Sequence, residues 1–435
     1  MTSARPKSFL LTTFEGGGTM SPLLTVAKKL IQRGHRVRVL SDACNRSEAE
    51  AAGAAFTPWT RAPGKPERTR EHDLFHDWNA PTPAEGVKML IDTVLAGGAA
   101  GHAADVTEAL AAEPADLVVS SEMLFGVHAA CEALQQPLAL LAVNIALLPL
   151  PGVPPLGPGL TPAQTPADHA LHAEIAEAVH SLFDAGLPQL NRVRADLGLP
   201  PLARIADQQR AAMRLLLGTS RAFDFAPEEL PGHVAYVGPQ LGDPDWALPW
   251  TPPARSGHGR KLALVAFSTT FQNHTLAVQR VLDAIGALPL DGLATLGGAL
   301  YAHELTAPAG VTVVDSAPHG EAMAAADLIV THGGHGTVLK ALAAGKPLLI
   351  LPHGRDQADN AVRVTARGAG LSLPADASTA QIRDALHRLA TEPSFAAAAQ
   401  RLGAEVAREA RESPAAEMLE DLACAGRRDT PQYAA

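Results

Sequence analysis

The residues best suited to chemistry lie about three quarters of the way along this chain. Residues 328–352 read LIVTHGGHGTVLKALAAGKPLLILP, in which an apolar strand pattern leads into a glycine turn and a helix follows from about Thr337. The free N–H groups and the dipole of a helix N-terminus attract anions, and glycines let backbone approach a ligand closely. The pattern predicts a diphosphate site without a metal ion, to which His332 adds a ring donor and Thr337 a hydroxyl. The glycines of this turn are Gly333, Gly334 and Gly336.

Hydroxyl side chains form a second candidate site. Ser268, Thr269 and Thr270 follow the apolar run at residues 261–267. In an open α/β sheet the carboxyl ends of the strands converge on the ligand crevice, so we expect these hydroxyls to lie at that crevice. A plain turn capped by its own hydroxyl groups is the alternative interpretation, because such turns are common.

These sites require a framework of strands and helices, and the sequence predicts one from its first residues. An apolar run at residues 8–14, a helical pattern at 22–33 and a second run at 35–41 form a βαβ unit. Further apolar runs lack polar alternation, as expected of a parallel sheet covered on both faces. They lie at residues 117–120, 138–143, 214–219, 233–237, 261–267, 294–296, 311–314, 328–331 and 347–351.

The repeated alternation predicts an α/β protein with two doubly wound, Rossmann-like domains that face a central cleft. Its length of 435 residues suits two such cores. The predicted parts are a first domain at 1–237, a Pro- and Gly-rich linker at 238–260, a second domain at 261–410, and a C-terminal helix and tail at 411–435.

Composition favours a small-molecule partner. The formal net charge is −10, aromatic residues make up 4%, and no Lys/Arg cluster is present, which argues against a nucleic-acid groove or an anionic membrane surface. Three cysteines without CxxC spacing indicate neither a disulfide framework nor a zinc site. The N-terminal apolar stretch is too short for a signal peptide and no run approaches the roughly 18 residues of a membrane span. We therefore expect a cytoplasmic protein.

From Ser316 to Gln357 the chain resembles the family 1 glycosyltransferases, two-domain GT-B enzymes that glycosylate natural products and xenobiotics. The ordered motifs that carry the resemblance are SAPH, ADLIVTHGGHGT, ALAAGKPLLILP and DQ. The architecture is similar over nearly the whole chain. The resemblance, closest to bacterial natural-product or macrolide enzymes, implies a UDP- or TDP-linked nucleotide-sugar donor, a small-molecule acceptor and no further cofactor.

The same resemblance assigns the donor residues. The first motif would hold the nucleotide base, the glycine turn and the hydroxyl loop would hold the diphosphate, and the terminal acidic–Gln pair would hold sugar hydroxyls. The residues implied are Ser268, Thr269, Thr270, Ser316, Pro318, His319, His332, Gly333, Gly334, Gly336, Thr337, Asp356 and Gln357.

Two departures concern the nucleoside. Ser316 stands where many relatives have a tryptophan that stacks on uracil, and Lys340 stands where many have a glutamate that accepts the ribose hydroxyls. A lysine side chain has no acceptor atom, so that contact must be lost or replaced. The sequence therefore leaves uridine and thymidine open.

The third departure concerns the general base. The family's first-domain loop reads Gly-His-x-x-Pro, and its histidine takes the acceptor proton, whereas residues 18–22 here read GTMSP. The hydroxyl of Thr19 cannot act as a base near neutral pH, although it can hydrogen-bond an acceptor. Glu122 is the first candidate base if burial raises its pKa, and Glu15 is the second. Either could instead be a solvated loop carboxylate.

Two insertions, residues 57–83 and 147–166, are long enough to be lids or binding loops, although a tolerated insertion would look the same. The first holds aromatic side chains that suit the walls of a pocket for a flat apolar acceptor, with simple loop packing as the alternative. Its two histidines have the four-residue spacing of one helical face, but no third ligand indicates a metal site. The candidate acceptor residues are His72, Phe75, His76, Trp78, Met123 and Phe125.

The sequence thus predicts an inverting, metal-independent hexosyltransferase of secondary metabolism or antibiotic biosynthesis, whose leaving nucleoside diphosphate is stabilised by the glycine turn. A catalytically impaired sugar-nucleotide-binding accessory protein and a GT-B sugar-nucleotide epimerase are the alternatives. An NAD-dependent dehydrogenase is disfavoured because residues 15–20 lack a full GxGxxG. The oligomeric state stays open.

Overall fold

A computed structural model describes residues 5–242, 250–253, 257 and 259–426. Residues 243–249, 254–256 and 258 of the predicted linker and residues 427–435 of the predicted tail lie outside these ranges. Within them the chain forms two parallel sheets, each packed between layers of helices. The predicted architecture of two doubly wound α/β domains is confirmed.

The first domain is built on a parallel sheet that, in the described residues, has seven strands. The strands are β1 (Ser8–Thr12), β2 (Arg36–Ser41), β3 (Ala55–Pro58), β4 (Leu117–Ser121), β5 (Leu138–Ala142), β6 (Arg214–Leu217) and β7 (Val234–Tyr236). Their spatial order is β3-β2-β1-β4-β5-β6-β7. The helices are α1 (Met20–Gln32), α2 (Arg46–Ala51), α3 (Pro83–Leu90), α4 (Ala99–Ala112), α5 (Phe125–Ala133), α6 (Pro166–Asp184) and α7 (Leu187–Asp196).

The second domain repeats this plan with six strands among the described residues. The strands are β8 (Lys261–Ala266), β9 (Leu290–Thr295), β10 (Val311–Val314), β11 (Leu328–Thr331), β12 (Leu348–Ile350) and β13 (Gly370–Ser372), in the order β10-β9-β8-β11-β12-β13. The helices that follow are α8 (Thr275–Gly286), α9 (His319–Ala325), α10 (His335–Ala343), α11 (Gln357–Ala366), α12 (Thr379–Thr391), α13 (Pro393–Arg411) and α14 (Ala415–Ala425).

The strands are apolar because both of their faces are buried. In β1, Phe9 and Leu11 pack into one core cluster and Leu10 packs into the cluster on the opposite face. The same arrangement holds in β8, where Ala263 and Val265 lie on one face and Leu264 on the other. Such strands read as continuous apolar runs, which explains why the sequence revealed them.

The position of the predicted sites follows from the strand order. In the first sheet the order reverses between β1 and β4, and in the second between β8 and β11. Ligands of doubly wound sheets bind in the crevice outside the carboxyl ends of the strands at this switch point. The loops after β1 and β4 hold the predicted catalytic residues, and those after β8 and β11 hold predicted donor residues.

The helical stretch near the C-terminus is interrupted. It forms α13 and α14, which are separated at residues 412–414. Helix α14 returns to the first domain, where Leu419 joins the core cluster of Phe9 and Glu420 pairs with Arg33 at 2.6 Å. The domain boundaries themselves stay a prediction.

Helix α11 of the second domain is hydrogen-bonded to the first domain. Arg363 donates to Asp224 at 2.8 Å, and both side chains are at most 2% exposed. Arg367 donates to the carbonyl oxygens of Ala222 and Asp224 at 2.9 and 2.7 Å. The two domains are therefore joined beside the helix whose first residues, Asp356 and Gln357, are the predicted sugar contacts.

Candidate functional site

The glycine turn after β11 has the backbone geometry of an anion site. Gly333 has a φ of +100°, and a Cβ there would lie 2.8 Å from the side chain of Ile350. A Cβ on Gly334 would lie 2.7 Å from Nε2 of His332. A Cβ on Gly336 would have no neighbour within 4 Å, so the first turn of α10 faces open space. Its N–H groups are positioned for an anion there.

The helix begins at His335 rather than at Thr337, so Thr337 lies half-buried within the first turn. His332 is 7% exposed, and burial lowers the pKa of its imidazole well below 6.5, with help from nearby His274, His353 and Arg355. A neutral ring can donate a hydrogen bond but carries no charge. Within the turn itself the positive potential therefore comes from backbone dipoles, and the nearby guanidinium of Arg355 adds to it.

The hydroxyl loop after β8 lies at the same switch point. Thr270 N–H donates to Ser268 Oγ at 3.1 Å, and Gln272 Nε2 donates to the same oxygen at 2.8 Å. Thr269 is exposed and donates its hydroxyl to the carbonyl oxygen of Gly17 in the first domain at 3.1 Å. The two switch points therefore face each other across the cleft.

The predicted sugar pair sits where β12 leads into α11. Asp356 accepts from Asn360 Nδ2 at 2.9 Å, and Asn360 also donates to the carbonyl oxygen of Gly333. Gln357 is 1% exposed: its Oε1 accepts from the backbone N–H of His353 at 2.6 Å, and its Nε2 donates to Gln272 at 2.7 Å. Gln357 therefore fixes the loop at residues 353–357, which we call the sugar loop, in addition to being a candidate ligand.

The residues assigned to the nucleotide base follow β10. Ser316 is exposed, Pro318 precedes α9, and His319 is the first, half-buried residue of that helix. Lys340 lies further along α10, the helix that starts at the glycine turn. These positions place a small hydroxyl side chain, rather than an aromatic face, beside the predicted base.

Glu122 follows β4 and is 4% exposed. Burial raises the pKa of its carboxyl to about 8, and a hydrogen bond from the backbone N–H of Leu147 opposes part of this rise. Leu147 begins the second predicted insertion, at residues 147–166. The sequence makes Glu122 the first candidate base if burial raises its pKa, and burial does raise it.

Glu15 follows β1 and has a different environment. Its carboxylate accepts from Arg68 Nε at 3.1 Å and from the backbone N–H of Gly17 at 3.0 Å. Arg68 also pairs with Glu48 and Asn45. Both oxygens of the Glu15 carboxylate are therefore already hydrogen-bonded inside the first domain, which leaves Glu15 less available than Glu122 to an acceptor hydroxyl.

Thr19 immediately precedes α1 and is 7% exposed. Its hydroxyl donates to the carbonyl oxygen of Phe14, and the hydroxyl oxygen accepts from the backbone N–H of Gly16 at 3.5 Å. The proton of this hydroxyl is thus used inside the loop, and one lone pair remains for an acceptor molecule.

The candidate acceptor residues do not all line the cleft. Trp78 packs against His76 at 4.6 Å between ring centroids and edge-on against Phe271 of the second domain at 5.3 Å. Met123 and Phe125 are 8% and 1% exposed and belong to the first-domain core. His72 ends a short 3₁₀ turn that does not include His76, so the expected shared helical face is wrong. Phe75 lies half-buried between these turns.

Sequence reasoning missed several residues of the site. Gln272 connects the hydroxyl loop to the sugar loop, and Asn360 connects the sugar loop to the glycine turn. Arg68 and Arg355 pair with carboxylates at the cleft. Asn360 lies one helical turn after Asp356, a spacing that gives a signal for their contact. The arginines pair with residues far away in sequence, which no local pattern reveals.

The described part of the chain lacks both a metal cluster and a membrane-spanning helix. No group of three or more His, Cys, Asp or Glu residues within it is arranged to hold a metal ion. No helix in these same residues is long and apolar enough to cross a bilayer.

Comparisons with known proteins identify relatives of this chain. The family described as Erythromycin biosynthesis protein CIII-like, C-terminal domain, matches residues 279–422. The chain is 29% identical over 422 residues to 4'-demethylrebeccamycin synthase of Lentzea aerocolonigenes, covering 95% of this chain and 99% of the relative. It is 32% identical over 270 residues to L-demethylnoviosyl transferase of Streptomyces niveus, covering 57% and 68%.

The fold has solved counterparts as well. The structure of glycosyltransferase VinC in complex with DTDP has a TM-score of 0.64 at 20% identity, and the match covers 97% of this chain and 100% of that one. Two doubly wound domains that face each other in this way form the GT-B fold. The chain belongs to the family 1 glycosyltransferases of natural products. The predicted glycosyltransferase function is confirmed, and the relatives support neither the accessory protein nor the epimerase.

Proposed function

We propose that this glycosyltransferase moves a hexose, with inversion, from a TDP- or UDP-sugar to a flat, largely apolar natural-product acceptor. The observation that carries the proposal is that the switch points of the two sheets face each other across the cleft. The glycine turn of the second domain faces the cleft, and the exposed Thr269 beside it touches the first-domain loop that begins at Glu15.

The donor half of the proposal rests on electrostatics. The open first turn of α10 offers N–H groups and Thr337 offers a hydroxyl to the diphosphate, with His332 beside them. These groups stabilise the charge that grows on the leaving diphosphate, and they need no reorganisation during the reaction. Asp356, 9% exposed and fixed by Asn360, is placed to accept a hexose hydroxyl. VinC was solved with DTDP, which favours thymidine as the first donor to test.

The acceptor half rests on the first domain. Phe75 and Trp78 supply half-buried aromatic surface at the cleft, which suits a flat ring system. The name of 4'-demethylrebeccamycin synthase, a relative matched along nearly its whole length, refers to a natural product. We place the acceptor between this aromatic surface and the loop at Glu122, with Thr19 as an orienting group.

The proposed base is Glu122. In its ionised form it would take the acceptor's proton as the acceptor oxygen attacks the anomeric carbon and the nucleoside diphosphate leaves. Burial keeps most of the carboxyl protonated at neutral pH and makes the ionised form a stronger base than an ordinary carboxylate. Glu15 stays the second candidate, with its ion pair to Arg68 as the reason for that rank.

A mass-spectrometric screen tests the proposal. TDP- and UDP-hexoses are combined with polycyclic aromatic and macrocyclic acceptors in the presence of EDTA. The expected result is an acceptor mass increased by one hexose residue, favoured by the aromatic acceptors. Conversion of macrocycles alone would contradict the flat-acceptor proposal, and a strict requirement for added magnesium or manganese would contradict the metal-free donor site.

A further inference from the structure

A segment of the first domain crosses the cleft. We define residues 65–79 as the bridging segment. On the first-domain side, Lys65 pairs with Asp73 inside the segment, and both side chains are at most 9% exposed. Arg68 of the segment pairs with Glu15 and Glu48. The segment is therefore an ordered part of the first domain.

The same segment reaches the second domain through Arg70. Arg70 Nη2 donates to both carboxylate oxygens of Glu304 at 2.9 and 3.1 Å. Its guanidinium lies 4.3 Å from the ring centroid of Phe271 and 4.6 Å from that of Tyr301. Trp78 packs edge-on against the same Phe271. We call Phe75 and Trp78 of the bridging segment the aromatic wall. Through Trp78 this wall packs against Phe271, which immediately follows the hydroxyl loop.

The second connection is Arg355, which immediately precedes the sugar residue Asp356. It donates to both oxygens of Asp77 in the bridging segment, from Nε at 2.8 Å and from Nη2 at 3.2 Å. Its Nη1 donates to Thr270 Oγ1 at 3.0 Å. The guanidinium also lies 5.8 Å from the ring centroid of Phe75. One side chain therefore contacts the hydroxyl loop and both an aromatic ring and a carboxylate of the bridging segment.

The backbone conformation of Arg355 indicates that its side chain has a function. Its φ is +54°, a left-handed conformation that costs free energy for any residue with a Cβ and that glycine adopts freely. Gly354 stands immediately before it, also with a positive φ. Strain held at a cleft in this way points to a function for the side chain that is placed by it.

Building on the proposed function above, we propose that Arg355 is a positioning residue for sugar transfer. Through Asp77 it holds the aromatic wall of the acceptor site at a fixed distance from the sugar loop that begins at Asp356. The acceptor hydroxyl is thereby aligned with the anomeric carbon. Small misplacements of reacting atoms lower rates steeply, so losing this connection should impair transfer more than donor binding.

A direct role at the diphosphate is the competing explanation. The charge of Arg355 is close enough to His332 to help lower the pKa of that ring. If the guanidinium acted on the diphosphate, its removal would weaken nucleoside-diphosphate binding, and the effect would not depend on Asp77. The test must separate these two roles.

A double-mutant cycle with Arg355→Gln and Asp77→Asn does so. Each single variant should lower kcat/KM for the acceptor by about 10- to 100-fold, the range expected for losing a charge-assisted, bidentate contact. The double variant should be no worse than the worse single variant. TDP and UDP affinities by calorimetry should match the parent. Arg355→Lys, which keeps the charge but loses the fork, should fall between parent and Arg355→Gln.

Hydrogen exchange of residues 70–79 supplies a readout that needs no turnover. Exchange in this segment should be faster in Arg355→Gln and Asp77→Asn than in the parent, without any ligand. Arg388→Gln, which removes an exposed ion pair on α12, is the matched control and should change neither exchange nor kinetics. Unchanged exchange in Arg355→Gln, multiplicative losses in the double variant, or weakened nucleoside-diphosphate binding would overturn the proposal. Absence of transfer by the parent would instead refute the proposed function, and the exchange result would still stand.

Discussion

Replacement of Glu122 by glutamine tests the proposed base through the pH dependence of the rate. Burial raises the pKa of the Glu122 carboxyl to about 8, so about one tenth of it is ionised at pH 7 and about nine tenths at pH 9. Transfer by the parent should therefore rise about tenfold over this interval. Glu122→Gln keeps the shape of the side chain but cannot take a proton. It should be slower by about 100-fold or more at pH 9, and its rate should not follow the same titration.

The assay is initial-rate transfer to an alcohol acceptor whose own hydroxyl does not ionise in this range. TDP or UDP affinity, measured at each pH, serves as the control for the donor site. If the parent rate shows no titration near pH 8, or if Glu122→Gln keeps the parent's profile, Glu122 is not the base. A loss found instead in Glu15→Gln would move the assignment to the second candidate.

The same substitution has a consequence for stability. Because the folded pKa of Glu122 lies above the usual 4.5, the folded state binds the proton more tightly, and the parent loses stability as the pH rises from about 4.5 to above 8. The difference between these pKa values corresponds to at most about 5 kcal/mol. Glu122→Gln should abolish this loss, which thermal unfolding at pH 6 and pH 9 measures. A parent and a variant that lose stability in parallel would show that Glu122 does not titrate as its burial requires.

Three further outcomes follow from the contacts at the cleft. His332→Ala or Thr337→Ala should weaken TDP or UDP binding by roughly 1.5 to 3 kcal/mol in calorimetry, since each removes a hydrogen bond to a charged phosphate; full affinity in both variants would remove the diphosphate assignment. Asp356→Asn should slow transfer yet leave nucleoside-diphosphate affinity intact, and equal losses of both would show that this loop serves the fold. Asp224→Asn should lower unfolding free energy by about 3 to 5 kcal/mol because it leaves Arg363 buried without its carboxylate, and an unchanged denaturation midpoint would contradict the importance of this interdomain pair.

The sequence predicted the strands of both sheets well because parallel strands buried on two faces form apolar runs. It missed β3 and β13, each at an edge of its sheet, since the half-exposed residues of Ala55–Pro58 and the short Gly370–Ser372 give no such run. The break between α13 and α14 also went unpredicted, although Pro414 marks it. The local sequence pattern thus predicts most strands and helices, but it predicts fewer of the residues at which they begin and end.

The candidate site was predictable where its groups are close in sequence. The glycine turn with His332 and Thr337 is one continuous motif, and the structure places it at a switch point, as the strand order requires. The ion pairs of Arg68 with Glu15 and of Arg355 with Asp77 join distant parts of the chain. Such pairings depend on the assembled fold, and no local spacing encodes them.

The anomeric configuration of the product tests directly whether the enzyme transfers a hexose with inversion. The parent is incubated with an isotopically labelled TDP-hexose and an aromatic acceptor in EDTA, and nuclear magnetic resonance follows the label. An inverting transferase should give one glycoside of opposite anomeric configuration for each nucleoside diphosphate released. A glycoside of retained configuration, free hexose without glycoside, or an isomerised sugar nucleotide would contradict it.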